Sequence, residues 1–369
     1  MDKQNSNIEL NKLVCELKCF TQIKVPDYLL KNDQFSCLRT SKEGQWNWRN
    51  LSKNETNPLM IKSITEIIYK LRNSLANLPQ NKKEEILKKI RENTPFYYQM
   101  ANRNFIPGVT EPIRSCRITS LAMALHALGV SAYDLVNKTD PGKDWYVDLK
   151  KLMNMGNWLA ENYSKSPCKL YNNIDDLLNE RFPDFLILLF IYAFYDGKIP
   201  DKKEDFLKKI EMNKGLLKDK FLIQPLKKTL SAKKTLTLIE KICGYFGVKH
   251  EGRKFKYDIN KIKTEINQGK EILLGWWTVP QIDPNSKKLV GGCLNHTVYL
   301  VGFDGNEFVI NDPGTYRGKC NEESKYEPCK KNSELRYRYY EVLSRVDKPK
   351  PNKTNKFLVL SGKIHPCNP

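Results

Sequence analysis

The spacing of apolar residues changes once along this chain, from a helical period to a strand period. Up to about residue 245, apolar positions recur every three or four residues, as in "SITEIIYKLRNSLANLP" at 63–79, which is typical of amphipathic helices. Beyond residue 270 they alternate or run together, as in "EILLGWWTV" at 271–279 and "KFLVLSGKI" at 356–364, which predicts strands. Helices that precede a group of strands predict an α+β fold with an antiparallel sheet.

Two regions follow from this pattern. Residues 1–94 are predicted to form a mainly helical N-terminal region, and residues 95–369 a second domain with a helical insertion at about 150–245. The most apolar run, "FLILLFIYAFY" at 185–195, is too short to span a bilayer and predicts a buried helix.

Charge is a weak constraint on the partners of this chain. Its 369 residues include 62 lysines and arginines against 42 aspartates and glutamates, a formal net charge of +20. A basic surface favours polyanionic partners, but these lysines are interleaved with acidic and amide residues, as on a solvated surface. No basic–aromatic motif or zinc finger supports nucleic-acid binding. No signal-peptide segment follows "MDKQNSNIELNK", which predicts a cytoplasmic protein or one exported without a cleaved signal.

A cysteine stands at the head of one predicted helix, in "PIRSCRITSLAMALHALGV" at 112–130. Gly129 is expected to end this helix as its C′ residue. At a helix N-terminus, exposed N–H groups and the helix dipole favour the thiolate, which is the nucleophilic form of Cys116. Arg114 and Arg117 flank the thiol and add positive potential, unless both point to solvent. Small side chains follow and would let this helix pack closely on a sheet: Thr119, Ser120, Ala122 and Ala124.

Only four histidines could pair with this thiol. His126 lies ten residues along the same helix, about 15 Å from its head, and is expected to be structural. His250 is interpreted as part of an exposed basic turn, "VKHEGRKFK", and His365 belongs to the terminal tail. His296 begins the predicted strand "HTVYLVGF" and is therefore the candidate general base.

The hairpin after His296 contains a group that could orient the imidazole. In "NHTVYLVGFDGNEFVINDPG", a three-residue loop at 304–306 would put residue 298 opposite Asp312, and hence Asp312 on the face of His296. A two-residue loop would move Asp312 to the other face and leave Asn311 as the orienting group. The sequence leaves both alternatives open.

These two motifs resemble those of a known family. "SCRITSLAMALHALG" is similar to the cysteine helix of the C39-like peptidases, in the papain-like cysteine protease superfamily, and "NHTVYLVGFDGNEFVINDPG" is similar to their histidine strand and acidic strand end. The resemblance covers roughly 95–135 and 265–362. It implies a papain-like fold, in which the N-terminal cysteine helix packs on an antiparallel sheet, and a triad of Cys116, His296 and Asp312.

The resemblance also implies an oxyanion hole formed by the cysteine N–H and an upstream amide side chain. Gln99 is the first candidate, with Asn102 and Asn104 behind it, and it precedes Cys116 by 17 residues. The 180 residues between Cys116 and His296 imply a large helical insertion. The function that the resemblance implies is hydrolysis of an amide, peptide or isopeptide bond without a metal or another cofactor. The expected partner is a protein or peptide-containing substrate, such as a cell-wall peptide. A deamidase acting on a glutamine side chain and a catalytically inactive binding module are the alternatives.

Two other interpretations compete for the same residues. Cys116 could be a buried structural thiol, because cysteine often packs as a small apolar residue. Residues of the right type for zinc lie in one region but without a recognised zinc spacing: Cys293, His296, Cys320 and Cys329. Cys320 and Cys329 could instead form a disulfide outside the cytosol. On the favoured interpretation, residues 95–369 form the catalytic domain.

Overall fold

In the computed structural model of the chain, helices predominate and most of them precede the strands of the sheet. The described residues are 8–17, 60–97, 99, 102–107, 110, 112, 115–136, 146–164, 168–199, 201–212, 238–254, 259–277, 281–282, 289–290, 295–304, 307–311, 313, 335–338 and 356–363. The helices are α1 (8–17), α2 (Ile61–Ser74), α3 (Gln80–Glu92), α4 (Cys116–Ala127), α5 (Leu149–Tyr163), α6 (Ile174–Leu178), α7 (Phe182–Phe194), α8 (Lys203–Met212), α9 (Leu238–Tyr245) and α10 (Ile259–Asn267).

Within the described residues, six strands form one antiparallel sheet with the order β1-β8-β2-β5-β6-β7, and two short strands pair separately. The strands are β1 (Val248–Lys254), β2 (Glu271–Trp277), β3 (Gln281–Ile282), β4 (Leu289–Val290), β5 (Asn295–Asp304), β6 (Glu307–Asn311), β7 (Leu335–Arg338) and β8 (Lys356–Lys363). The fold is therefore α+β, with a helical majority and a small antiparallel sheet, as the apolar pattern predicts.

One segment interpreted as a turn is a strand. The basic segment around His250 forms β1, in which His250 lies opposite Leu360 of β8. The His250 side chain is 7% exposed, and its Nδ1 lies 3.3 Å from Glu240 Oε1. Edge strands often carry lysine and other polar residues, because charge discourages pairing with a further chain. The apolar alternation that indicates a strand is therefore absent from β1.

Helix α4 is buried at every residue, as a helix covered on more than one side must be. It packs against β5 and β2 of the sheet and against α7, and its small side chains permit this close packing. Gly129, the C′ residue, has a φ of +76°, and a Cβ at this position would lie 2.9 Å from the backbone of Tyr69. Only glycine tolerates both conditions, which confirms the predicted end of the helix.

A buried carboxylate connects the N-terminal helices to the sheet. Glu271, the first residue of β2, is fully buried and accepts hydrogen bonds from Arg72 Nη2 and from Arg91 Nε, the latter at 3.0 Å. The Tyr299 hydroxyl donates a further bond to it at 2.6 Å. Burial raises the pKa of Tyr299 well above its ordinary value and lowers that of Arg72. Helices α2 and α3 thus pack on the same core as α4.

Helix α7 carries the most apolar run of the chain and is buried along nearly its whole length. Its one acidic residue, Asp184, accepts a hydrogen bond at 2.6 Å from the backbone N–H of Arg103, which attaches the start of α7 to the loop before α4. Within the described part of the chain, no helix combines the length and the apolar character needed to cross a bilayer.

Candidate active site

Cys116 is the first residue of α4, and Ser115 is the N-cap. Cys116 is 5% exposed, and the Ser115 side chain makes no capping hydrogen bond to the helix. The first N–H groups of a helix have no partner inside it and carry the positive end of the helix dipole. The sequence thus places the thiol where the potential of the helix favours an anion.

The amide of Asn102 holds the start of α4. Its Nδ2 donates to Ser115 Oγ at 2.7 Å and to Thr119 Oγ1 at 2.8 Å. Its Oδ1 accepts from Arg181 Nη1 at 2.5 Å, and Arg181 is the N-cap residue of α7. The helical insertion therefore reaches the head of the cysteine helix through one amide. Both N–H groups of that amide are used, which leaves none for an oxyanion.

Two residues of α4 bind one residue of β5. Arg117 Nε donates to Thr297 Oγ1 at 3.1 Å, and Ser120 Oγ donates to the Thr297 carbonyl oxygen at 3.0 Å. The first of these bonds joins residues 180 apart in sequence. Because Cys116 precedes Arg117 and His296 precedes Thr297, the two bonds bring together the backbone segments of the candidate nucleophile and the candidate base.

Thr297 lies on the face of β5 that meets α4. Tyr299 and Val301 follow at intervals of two residues and belong to the same buried core as α4. The backbone of His296 pairs with Trp276 of β2, and the His296 side chain lies outside the described part of the structure.

Arg117 is buried, with 5% of its surface exposed, and does not point to solvent. Burial lowers its pKa to about 10, while the charge of Cys116 acts in the opposite direction. Among the described residues, no carboxylate lies within 4.0 Å of this guanidinium. The second flanking arginine, Arg114, lies outside the described residues. The sequence placed positive charge near Cys116 but carried no signal that this charge is buried.

Gln99, the amide predicted to be the oxyanion donor, contacts both Pro313 and the N-cap residue of α4. It is 6% exposed, and its backbone N–H donates to the Pro313 carbonyl oxygen at 2.9 Å. Ser115 Oγ approaches its carbonyl oxygen at 3.5 Å. Asn104, the third candidate amide, accepts a hydrogen bond from Thr110 Oγ1 at 3.1 Å. Of the three amides, Gln99 is the one joined to both the N-cap of α4 and the end of the β6 segment.

The hairpin between β5 and β6 combines the two alternatives that its sequence allowed. Asp304 pairs with Glu307, so the loop has two residues, but the register shifts between Leu300 and Gly302. Tyr299 consequently lies opposite Asn311, which is the register of a three-residue loop. Asn311 is buried on the face of Tyr299, and its Oδ1 has no hydrogen-bond partner among the described residues. Asp312 lies outside the described residues.

His126 is a core residue, as the helical spacing predicts. Its Nδ1–H donates to the Val130 carbonyl oxygen at 2.7 Å, and its Nε2 accepts from the Tyr97 hydroxyl at 2.9 Å. Its ring stacks on Phe182 at 4.3 Å between centroids. Burial lowers the pKa of His126 to about 4, so the ring is neutral at physiological pH.

The zinc alternative falls largely on undescribed residues. Cys293, Cys320 and Cys329 lie outside the described part of the structure. Within the described part, no group of three or more histidine, cysteine, aspartate or glutamate side chains is arranged to hold a metal ion.

Comparison of the chain with protein-family models, with curated proteins and with solved structures found no match in any of the three. The resemblance to the C39-like peptidases therefore stays a prediction from two sequence motifs.

Proposed function

We propose that the chain is a cysteine hydrolase with a papain-like fold, which cleaves an amide, peptide or isopeptide bond. Cys116 is the nucleophile, His296 the general base, and Asp312 the group that orients the imidazole. The fold supports this assignment at its coarser level, because a helix headed by cysteine packs on an antiparallel sheet.

One observation carries the proposal. Arg117 and Ser120, in the first turns of α4, both bind Thr297, the third residue of β5. Both bonds join the cysteine helix to the histidine strand, and the bond from Arg117 does so at the positions next to the two proposed reacting residues. A structural thiol in a core helix would not require its helix head to be joined to the residue after a histidine.

The reaction passes through a thioester. The Cys116 thiolate attacks the carbonyl carbon of the scissile bond, and the His296 imidazolium protonates the leaving amine, which leaves the acyl group on sulfur. Neutral His296 then takes a proton from water, and the resulting hydroxide attacks the thioester. The acid product leaves, and the thiolate and the imidazolium are restored.

Two N–H groups can stabilise the oxyanion of this reaction. The backbone N–H of Cys116 lies at the N-terminus of α4, where the helix dipole also favours negative charge. The side-chain amide of Gln99 is the second donor, since its segment contacts the N-cap of the same helix.

In the proposed mechanism, the His296 imidazole has to reach the side of the sheet on which Cys116 lies. Regular alternation assigns Thr297 to the face that α4 covers, so the His296 imidazole has to turn toward α4 around the end of the strand. Asn295 is the first residue of β5, which leaves a single strand residue before His296. A substitution of His296 tests this demand directly.

Alkylation of the intact protein by iodoacetamide between pH 5 and pH 8, with mass-spectrometric mapping, tests the proposal. Three described cysteines form an internal scale: Cys116 in the site, Cys15 on an exposed helix position and Cys243 in the core. Burial raises the pKa of Cys243, which should stay unlabelled. At pH 6 an ordinary thiol with a pKa of about 8.5 is almost fully protonated, whereas the proposed site holds Cys116 as the reactive thiolate. Cys116 is therefore expected to react faster than Cys15.

The variant His296→Ala is expected to slow Cys116 labelling by roughly tenfold or more and to leave Cys15 unchanged. His250→Ala is the matched control, because His250 lies in β1, which is separated from β5 by β8 and β2 in the sheet. A Cys116 rate equal to that of Cys15, or a rate that does not respond to His296→Ala, contradicts the proposal.

A further inference from the structure

Arg117 differs from the other buried arginines of the described chain. Each of the others lies within ion-pairing distance of a carboxylate: Arg91 is 3.0 Å from Glu271, Arg103 is 3.0 Å from Glu180, and Arg181 is 4.0 Å from Asp184. No described carboxylate lies within 4.0 Å of Arg117, whose hydrogen bond goes to the neutral hydroxyl of Thr297. Its positive charge therefore needs another source of compensation.

The positive charge of Arg117 needs compensation because burial removes water from the guanidinium. Arginine does not lose its proton in proteins, so it cannot escape this cost by becoming neutral. An uncompensated buried charge destabilises the folded protein, and an adjacent opposite charge offsets this cost. Cys116 and Arg117 are the first and second residues of α4, and the thiol is the ionisable group next to the guanidinium in sequence.

We infer that Arg117 is the counter-ion of the Cys116 thiolate. The inference rests on the proposed function, in which Cys116 is the nucleophile. The charges of the proposed site support it: a thiolate, an imidazolium on His296 and a carboxylate on Asp312 sum to one negative charge. The Arg117 guanidinium brings this sum to zero, which favours a site removed from water.

The two cations of the site then have separate roles. Arg117, held by Thr297 Oγ1, supplies part of the stabilisation of the Cys116 thiolate, and the His296 imidazolium supplies the rest. His296 transfers the proton to the leaving group. A consequence follows for the variant His296→Ala, in which the thiolate should persist in part because one of its two cations remains.

Other charged groups near α4 already have partners and do not replace Arg117. At the head of the helix, Arg181 pairs with Asp184 and donates a hydrogen bond to Asn102. At the far end, the described cations Arg72 and Arg91 share Glu271, and His126, which accepts from the Tyr97 hydroxyl, is neutral. Toward the sheet, the described contact of Arg117 is the uncharged Thr297. The undescribed Asp312 and the undescribed His296 side chain are the remaining titratable groups of the proposed site.

The test measures the ratio of iodoacetamide labelling at Cys116 and at Cys15 in the full-length protein at pH 6. Arg117→Met removes the charge and keeps an apolar stem, whereas Arg117→Lys keeps the charge. Thr297→Val removes the hydrogen bond and keeps both charges. Lys88→Met is the charge-matched control, since Lys88 is an exposed residue of α3. Circular dichroism and thermal melting establish that each variant is folded.

The ratio is expected to fall by roughly tenfold in Arg117→Met, which corresponds to about one pKa unit in thiolate fraction. Arg117→Lys should retain most of it, and Lys88→Met should leave it unchanged. In the His296→Ala background, adding Arg117→Met should bring Cys116 down to the rate of Cys15. If Arg117→Met does not fold, Arg117→Gln gives the same test, because its amide can still donate to Thr297 Oγ1.

Two failures are distinguishable in this experiment. If Cys116 of the unmodified protein reacts no faster than Cys15, the proposed function itself fails. If Cys116 reacts fast, and the folded Arg117→Met or Arg117→Gln variant leaves the ratio within about twofold, only the role of Arg117 is overturned.

Discussion

The backbone N–H of Gln99 donates a 2.9 Å hydrogen bond to the carbonyl oxygen of Pro313. Gln99 precedes Cys116 by 17 residues, and Pro313 directly follows Asp312. The segment with the amide predicted to stabilise the oxyanion is thus bonded to the segment predicted to orient the histidine. The same Gln99 segment approaches Ser115, the N-cap of the cysteine helix.

Gln99→Ala should slow acyl transfer and spare alkylation. Loss of one oxyanion donor lowers the rate of acyl transfer by roughly a hundredfold, because the developing negative charge loses a fixed N–H partner. Alkylation by iodoacetamide forms no oxyanion, so labelling of Cys116 should stay the same. The measurements are the release of p-nitrophenol from p-nitrophenyl acetate and the iodoacetamide rate. Gln80→Ala, on exposed α3, is the control, and equal acylation by both variants would remove Gln99 from the oxyanion hole.

Asp312→Ala and Asn311→Ala distinguish the two candidate orienting groups. Since Tyr299 lies opposite Asn311, the register assigns Asn311 to the face of Thr297 and not to that of Val298. We expect Asp312→Ala to lower the rate of acyl transfer by roughly a hundredfold to ten-thousandfold with the fold intact. Asn311→Ala should have a much smaller effect. The same p-nitrophenol assay checks both variants, and the opposite ranking would transfer the orienting role to Asn311.

Glu271→Gln should destabilise the protein strongly. The substitution leaves Arg72 and Arg91 without the carboxylate that they share, and breaking a buried ion pair typically costs about 3–5 kcal/mol. Urea unfolding followed by circular dichroism measures the change in free energy of unfolding. Glu85→Gln is the control, because its pairs with Lys82 and Lys89 lie on the exposed surface of α3 and such pairs contribute little. Similar unfolding midpoints for the two variants would show that Glu271 does not hold the helices to the sheet.

His126 should make stability depend on pH between about 6.5 and 4. The ordinary pKa of histidine is about 6.5, whereas burial lowers that of His126 to about 4. As the pH falls below 6.5, the unfolded chain therefore binds a proton that the native protein does not bind. Stability from neutral His126 is present above pH 6.5 and is lost as the pH falls toward 4, by up to about 3 kcal/mol.

The variant His126→Gln isolates this contribution. Other groups also titrate in this range, so the quantity to measure is the difference in free energy of unfolding between the variant and the unmodified protein at pH 7, 5.5 and 4.5. We expect this difference to shrink as the pH falls, because a glutamine side chain does not titrate. A difference that is constant across these three pH values would mean that folding does not shift the pKa of His126.

Much of the fold could be read from the spacing of apolar residues. The helix from Cys116 to Ala127 and the strands around His296 follow from local periodicity, and the end of the helix follows from Gly129, whose positive φ favours glycine. β1 could not be predicted, because an edge strand such as this one needs no apolar alternation. The register of the β5–β6 hairpin could not be predicted either. A register shift inside β5 compensates for the two-residue loop, and no turn residue indicates that shift.

The sequence by itself determined the candidate reactive groups and their local setting: a thiol at a predicted helix N-terminus, a histidine at a predicted strand start and a carboxylate one hairpin later. Only the tertiary structure decided what surrounds them. In the folded chain, Arg117 is buried and has no described carboxylate near it. Arg181 of the insertion donates a hydrogen bond to Asn102, and the Gln99 N–H donates one to Pro313. The physical reason is the separation along the sequence of the residues involved. Backbone periodicity depends on neighbouring residues, whereas burial and hydrogen bonding depend on segments far apart in sequence that pack together.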